Sequence, residues 1–155
     1  MNEQRPLAEA VRAAVTAVDD PEYPGVSIVD LGILEAIRTS EAAVEVDLVP
    51  TVVACPAFRM IEEDVRRAVL AVPGVGTVAV NRLLGVPWTT ARVTDAGRRA
   101  LATDFFVAVK TPSRPVRCPA CDSTAVVERS AFGGSRCRSV HWCTDCRSTV
   151  EVVRT

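Results

Sequence analysis

The sequence predicts an α+β protein: a small two-layer α/β sandwich, in the order helix, hairpin, βαβ unit and helix, followed by a C-terminal ribbon held by cysteines. Two observations lead to this fold class. Apolar residues follow helical spacing in some segments of 1–109 and alternate with polar residues in others, and five of the 6 cysteines lie between positions 118 and 146. We therefore expect an α/β domain over 1–109, a linker over 110–117 and a cysteine-bound domain over 118–155.

The first elements are a helix and a hairpin. Leu7, Val11 and Val15 recur at helical spacing, and the prolines and glycine of "DDPEYPG" (19–25) predict the end of that helix. Strand-like segments follow at 26–38 and 42–51. Their connection, "TSE" (39–41), is typical of a hairpin turn.

A βαβ unit completes the predicted sandwich. One apolar helical stripe runs from Pro56 to Val72, "PGVG" ends it, and "TVAVNRLL" (77–84) reads as the third strand. A strand, a helix and a strand in this order predict that the second and third strands are parallel, with a right-handed crossover. Thr94 or Asp95 can cap a last helix through "AGRRALA" (96–102).

Composition and charge exclude several classes of protein. The chain has 155 residues, 48% of them hydrophobic, and a formal net charge of -1, so it has no global field that would hold nucleic acid or anionic lipid. The sequence has no secretory signal and no apolar run of membrane-spanning length, so we expect a cytoplasmic protein without a membrane partner. Its single histidine excludes a di-iron carboxylate bundle and leaves no partner for a serine hydrolase triad in the main domain.

Two cysteine pairs predict a metal site. Cys118 and Cys121 form one Cys-x-x-Cys knuckle, and Cys143 and Cys146 form a second, with 21 residues between the two. Two such knuckles supply the four thiolates of a closed tetrahedral site, which predicts structural zinc. The competing interpretation is a pair of redox-active dithiols. Zinc is favoured because both knuckles lie outside the βαβ unit beside which thioredoxin-like chemistry takes place.

Two further residues of the ribbon leave alternatives open. Cys137 is a spare thiol, an alternative ligand or part of an iron–sulfur site, and the residues alone favour a partly buried cysteine without a role. We expect His141, beside the second knuckle, to lie at the surface or behind the ligands and not to bind the metal.

Cys55 stands alone in "VPTVVACPAF" (49–58). Because Pro56 suits the first turn of the predicted helix, Cys55 is expected to be its N-cap, where unpaired N–H groups and the helix dipole favour a thiolate. Such a thiolate could transfer iron or a cluster. A small buried residue that fills the turn is the alternative, and both interpretations stay open at this point.

Several motifs resemble a known family. "DDPEYPGVSIVDLGIL" (19–34) and "PTVVACPAF" (50–58) are similar to the SufT-like iron–sulfur assembly domain. "VPWTTARVTDAGRRAL" (86–101), followed by "CPAC", "FGGSRC" and "WCTDC", resembles the PaaD family, which is associated with the phenylacetyl-CoA epoxidase gene group. The resemblance extends over essentially the whole chain.

The resemblance implies an accessory protein that assembles or delivers iron or an iron–sulfur cluster to an oxygenase, without catalysis of its own. By position it assigns the transfer cysteine to Cys55, an acidic loop to Asp20 and Glu22, zinc to the four knuckle cysteines, and a regular place in the pattern to Cys137. The implied partners are oxygenase or reductase subunits of a multicomponent monooxygenase. The alternatives are a zinc-ribbon module that contacts nucleic acid or protein, for which the weak positive charge of the ribbon gives little support, and a dithiol oxidoreductase.

Overall fold

The computed structural model of the chain describes residues 4–154, with side chains from residue 6 onward. The chain divides into two compact units, one ending at Pro87 and one beginning at Trp88. Three α-helices are described: α1 (Gln4–Thr16), α2 (Phe58–Leu70) and α3 (Asp95–Phe105). The strands of the first unit are β1 (Asp19–Asp20), β2 (Tyr23–Ser27), β3 (Leu34–Ser40), β4 (Ala43–Leu48) and β5 (Thr77–Arg82). Those of the second unit are β6 (Val107–Val109), β7 (Val126–Ser130), β8 (Arg138–Cys143) and β9 (Thr149–Val153).

The first unit is a two-layer sandwich. Its sheet has the order β3-β4-β5, in which β3 and β4 are antiparallel and β4 and β5 are parallel, as the βαβ pattern predicted. Helices α1 and α2 pack on each other and on this sheet. The core contains fully buried side chains from both layers: Val11, Val15, Ile28, Ile33, Val44, Val46, Leu48, Phe58, Ile61, Val65 and Val69.

The segment 26–38, predicted as one strand, is two strands with a turn between them. Strand β2 ends at Ser27 and pairs with β1, a short ladder that the sequence pattern did not indicate. The chain then turns, with the Gly32 N–H donating to the Val29 carbonyl at 3.0 Å, before β3 begins at Leu34. Gly32 has a φ of 70°, a left-handed conformation that glycine adopts without steric cost and that ends an extended run.

A polar network lies on the face of the sheet opposite the buried valines of β4. Arg38 binds both Glu45 and Asp47, and the Asn81 amide donates to Asp47 Oδ1 at 2.9 Å. Asp47 is buried, and the hydrogen bond from Arg38, followed by that from Asn81, lowers the pKa of its carboxyl group. The network thus joins all three strands through one ionised side chain.

We expect Asp47→Asn to lower the free energy of unfolding of the first unit at neutral pH. Because the folded pKa of Asp47 lies below its unfolded value of about 3.9, its contribution is complete above that value and is lost as the pH falls through the folded pKa. Urea unfolding at several pH values checks this result. The difference between the wild type and the variant should be large at pH 7 and should shrink at acidic pH; a difference independent of pH would contradict the prediction.

The second unit contains a four-stranded sheet with the order β6-β9-β8-β7. Strand β6 pairs in parallel with β9, and α3 packs against β6. The last helix, which the sequence analysis assigned to the first domain, therefore belongs with the ribbon. The expected linker is also tied down at its start, because the Lys110 N–H donates to the Val153 carbonyl at 3.0 Å. The division into compact units falls between residues 87 and 88, whereas the sequence pattern places a domain boundary at 109–110.

Helix α3 begins with a side-chain cap, and the capping residue is Thr94, one of the two residues that the sequence predicted for this position. The Thr94 hydroxyl accepts a hydrogen bond from the Gly97 N–H at 3.0 Å. We expect Thr94→Ala to lower the free energy of unfolding of the second unit by about 1 kcal/mol, since one helix N–H loses its partner. Thr103→Ala on the exposed side of the same helix is the matched control. Chemical denaturation followed by circular dichroism measures both variants, and equal losses would argue against a capping role.

Within the part of the chain that the structure describes, no helix combines the length and the apolar character that crossing a bilayer requires.

Candidate metal centre and candidate cysteine site

The four knuckle cysteines come together in the second unit. Their sulfur atoms all lie within 4.8 Å of one another, and the Cys118–Cys146 and Cys121–Cys143 sulfur pairs are each 3.6 Å apart. Four thiolates around zinc, with Zn–S bonds near 2.3 Å, have sulfur–sulfur edges of about 3.8 Å. The donor set and its dimensions therefore fit a single tetrahedral ion of the zinc class.

The two knuckles have the same backbone design. In the first, the Cys118 N–H donates to the Ser123 carbonyl, and the Cys118 carbonyl accepts from the Asp122 N–H. In the second, Cys143 makes the same pair of bonds with Ser148 and Arg147. Asp122 and Arg147 both have a left-handed φ, near 60°, which closes each turn. This repeated turn presents two sulfur atoms from each knuckle to one point.

Burial and hydrogen bonding shift the pKa values of Cys118 and Cys146 in opposite directions. Burial raises the pKa of Cys118, which is only 2% exposed. The pKa of Cys146 falls to about 6 because the Ser148 hydroxyl and its backbone N–H both donate to the sulfur. Cys146 thus offers a thiolate at neutral pH. The buried thiol of Cys118 needs a bound cation to stabilise its thiolate form.

His141 is buried and is not part of the sulfur group. Its Nε2 atom lies 2.9 Å from the Ser139 hydroxyl and 3.7 Å from the Glu128 carboxylate. Burial lowers the pKa of its imidazole. This position agrees with the expectation that His141 is not a metal ligand. The expectation that His141 could lie at the surface is wrong, because its side chain is buried.

Cys137 lies at the opposite end of β8 from Cys143. The five residues 138–142 of extended chain lie between the two, so that six steps of about 3.3 Å give a separation of about 20 Å. Its sulfur atom is 3.1 Å from the Ser135 hydroxyl, and its carbonyl accepts from the Arg154 N–H. The structure therefore excludes Cys137 as an alternative ligand of the four-sulfur centre.

Cys55 is partly buried in the loop that joins β4 to α2. Its N–H donates to the Val52 carbonyl at 3.1 Å, and its own carbonyl accepts from the Phe58 N–H at 3.2 Å. The N-cap of α2 is Ala57, without a side-chain cap bond, so the prediction of Cys55 as N-cap is wrong. Tight turns over 52–57 delay the helix by two residues, and Cys55 lies just before its first turn.

The acidic residues predicted to accompany Cys55 lie elsewhere on the first unit. Asp20 is buried, accepts a hydrogen bond from the Glu22 N–H at 2.8 Å, and lines a depression with Asp64 and Arg67 of α2. Asp64 is six residues into the helix, about 9 Å along its axis from Phe58. Glu22 is exposed at the same turn. Cys55 is not among the residues that line this depression, so the structure does not join the three in one pocket.

An ion pair beside Cys55 was missed by the sequence analysis. Arg82, the last residue of β5, binds both carboxylate oxygens of Glu62, at 3.0 and 2.6 Å, and its guanidinium lies 4.7 Å from the centre of the Phe58 ring. Glu62 raises the pKa of Arg82 most strongly, and the charge of a nearby Cys55 thiolate raises it further. The order of the elements could have predicted this contact, because a βαβ unit places the end of its second strand beside the first turn of its helix.

Two family models match separate parts of the chain. Residues 8–80 match the family described as iron-sulfur cluster assembly protein, and residues 102–154 match the PaaD zinc beta ribbon domain. The first match contains Cys55, and the second contains all four knuckle cysteines.

Individual relatives agree with these matches. The chain is 27% identical to an Escherichia coli (strain K12) protein named as a component of 1,2-phenylacetyl-CoA epoxidase, over 92% of this chain and 89% of the relative. It is 29% identical to the Fe-S protein maturation auxiliary factor YitW of Bacillus subtilis (strain 168), over 61% of this chain and 93% of the relative. A crystal structure of the domain of unknown function DUF59 from Bacillus anthracis matches 63% of this chain and 92% of its own, with a TM-score of 0.58 and 28% identity. The chain thus joins a segment that matches the iron-sulfur cluster assembly protein family to a segment that matches the PaaD zinc beta ribbon domain, and it is similar over most of its length to an epoxidase component.

Proposed function

We propose that this protein is a non-catalytic maturation factor that delivers iron or an iron–sulfur cluster to a multicomponent oxygenase of the phenylacetyl-CoA epoxidase type. The observation that carries the proposal is the presence of both parts in one chain, an assembly domain with Cys55 and a ribbon with four clustered cysteines. A relative that is similar over nearly the whole length carries the name of an epoxidase component. A second relative is named as a maturation factor.

In this proposal Cys55 is the residue that exchanges iron or the cluster. A partly exposed sulfur atom can reach an acceptor, and the Arg82–Glu62 ion pair lies beside it. Two large apolar side chains, Val53 and Leu84, are 63% and 59% exposed at the same end of the sheet. They would supply contact area for the acceptor protein. Asp20 and Glu22 remain proposed to assist the transfer as an acidic turn of the same unit, beside a depression that Cys55 does not line.

The ribbon centre has a structural role in this proposal. Cys118, Cys121, Cys143 and Cys146 would hold zinc in a closed site without an open position for substrate, and the bound ion would fix the ends of the hairpins. The ribbon could then contact the oxygenase or reductase subunits. The cysteines form no disulfide among residues 4–154, the state in which a reducing cytoplasm would keep them, and we propose that the exchange takes place there.

Metal analysis of protein purified without oxygen tests this function against its two alternatives. We expect one zinc per chain together with substoichiometric iron and acid-labile sulfide. Zinc without iron, even after reconstitution with iron and sulfide, would favour a module that contacts nucleic acid or protein. Absence of both metals, with a reversible thiol–disulfide titration, would favour a dithiol oxidoreductase.

A further inference from the structure

A depression of about 290 Å³ in the second unit is not used by the proposed delivery of iron. Its lining consists of Thr90, Lys110, Thr111, Pro112, Glu128 and Arg154. None of the ribbon cysteines lines it. Two of the six side chains are cations, two carry hydroxyl groups, and one is an acid.

Arg154 is held in place by its surroundings but lacks one hydrogen bond. Its backbone N–H donates to the Cys137 carbonyl at 3.1 Å, and its guanidinium lies 5.8 Å from the centre of the Phe132 ring. The Nε atom is buried and has no partner among residues 4–154. Buried donors in native proteins almost always have an acceptor. A species that enters this depression is therefore expected to accept a hydrogen bond from Arg154.

Lys110 adds a second cation at the same place. Its backbone N–H donates to the carbonyl of Val153, the neighbour of Arg154, while its side chain is exposed. No ion pair joins Lys110 to an acid in the described part of the chain. The acid of the lining, Glu128, has its carboxylate 3.7 Å from His141 Nε2. The lining thus carries one more positive charge than negative charges.

We propose that this depression binds an oxyanion of the phosphate class. A guanidinium and an ammonium group are the two side chains that bind phosphate oxygens best, and the hydroxyl groups of Thr90 and Thr111 can donate to the remaining oxygens. A carboxylate, with two oxygens, would use fewer of these donors. The depression is larger than one phosphate ion, so the phosphoryl group of a small ester fits the same chemistry.

Titration of the zinc-loaded full chain with inorganic phosphate, followed by amide chemical shifts, tests the site. We expect saturable shifts that include Lys110, Thr111 and Arg154, and affinity weakened by about tenfold or more in Arg154→Gln and in Lys110→Gln. Lys110 is exposed, so its variant does not endanger folding. Glu128→Gln should strengthen binding because it removes the one negative charge of the lining. Glycerol phosphate in a parallel titration identifies the source: tighter binding of the ester indicates a larger phosphorylated ligand, and equal or weaker binding indicates free phosphate.

Arg136→Gln is the matched control, since Arg136 is an exposed arginine of the same unit outside the depression. It should leave phosphate binding unchanged. Equal weakening by Arg136→Gln and Arg154→Gln would show attraction by overall charge and would overturn the proposal. Shifts that do not saturate, or an absence of shifts at these residues, would overturn it as well.

Discussion

Replacing Cys121 with serine is expected to release the metal and to unfold the ribbon, while the unit that ends at Pro87 keeps its helices. One of four sulfur ligands is lost, and the buried cluster around the centre is small, consisting of Ala108, Cys118, Cys143, Val150 and Val152. In small metal-bound units the binding free energy of the ion is also the folding free energy. Bound zinc measured by elemental analysis, together with the dispersion of amide signals from 118–154, checks the result.

Cys137→Ser is the matched control for this substitution. It is the same chemical change in the same unit, about 20 Å from the centre along β8. We expect it to keep one zinc per chain and a folded ribbon. A Cys121→Ser protein that also retained its zinc would show that the proposed ligand set is wrong.

Cys55→Ala is expected to abolish most of the maturation of the client oxygenase with little effect on folding. The substitution removes one sulfur atom from a partly buried loop, so the free energy of unfolding should fall by only about 1 kcal/mol. Loss of a ligand should weaken the affinity for iron or the cluster by at least about tenfold. Even substitutions of residues that only support metal ligands reduce metal affinity by about that factor. Iron content and activity of the co-expressed client measure the outcome.

Two controls make the Cys55 result specific. Thermal unfolding of the variant separates loss of exchange from loss of structure, and Cys137→Ser removes a second partly buried thiol outside the proposed exchange site. If the client acquired its full iron content with Cys55→Ala, the thiol would be a packing residue and the alternative interpretation of the sequence would stand.

Local patterns predicted much of the first unit. Helical and alternating spacing located α1, α2 and the three strands of the main sheet, and the order of elements predicted the parallel pairing of β4 with β5. The turn at Gly32 was not predicted, because apolar residues on both sides of it continue one strand-like run. Tight turns before α2 displaced its start from Pro56 to Phe58 and removed Cys55 from the N-cap.

The boundary between the units depends on a long-range pairing that local sequence does not reveal. Strand β6 is only three residues long, and its partner β9 is the last strand of the ribbon, about 40 residues further along the chain. The knuckles were recognisable because their ligand spacing is short and regular. The Arg82–Glu62 ion pair depended on the crossover geometry, and the positions of Asp20 and Glu22 depended on hydrogen bonds within their own turn.

The central claim, that this chain delivers iron or a cluster through Cys55, is tested most directly by a transfer experiment. The full chain is reconstituted with iron and sulfide, and mixed without oxygen with the iron-free oxygenase component and a chelator that captures free iron. We predict that the chain loses its cluster absorbance as the client gains iron and activity, faster than the chelator gains iron. We also predict that Cys55→Ala gives no transfer. If the client gained no iron from the wild-type chain, or gained it equally from Cys55→Ala, the proposed delivery through Cys55 would be contradicted.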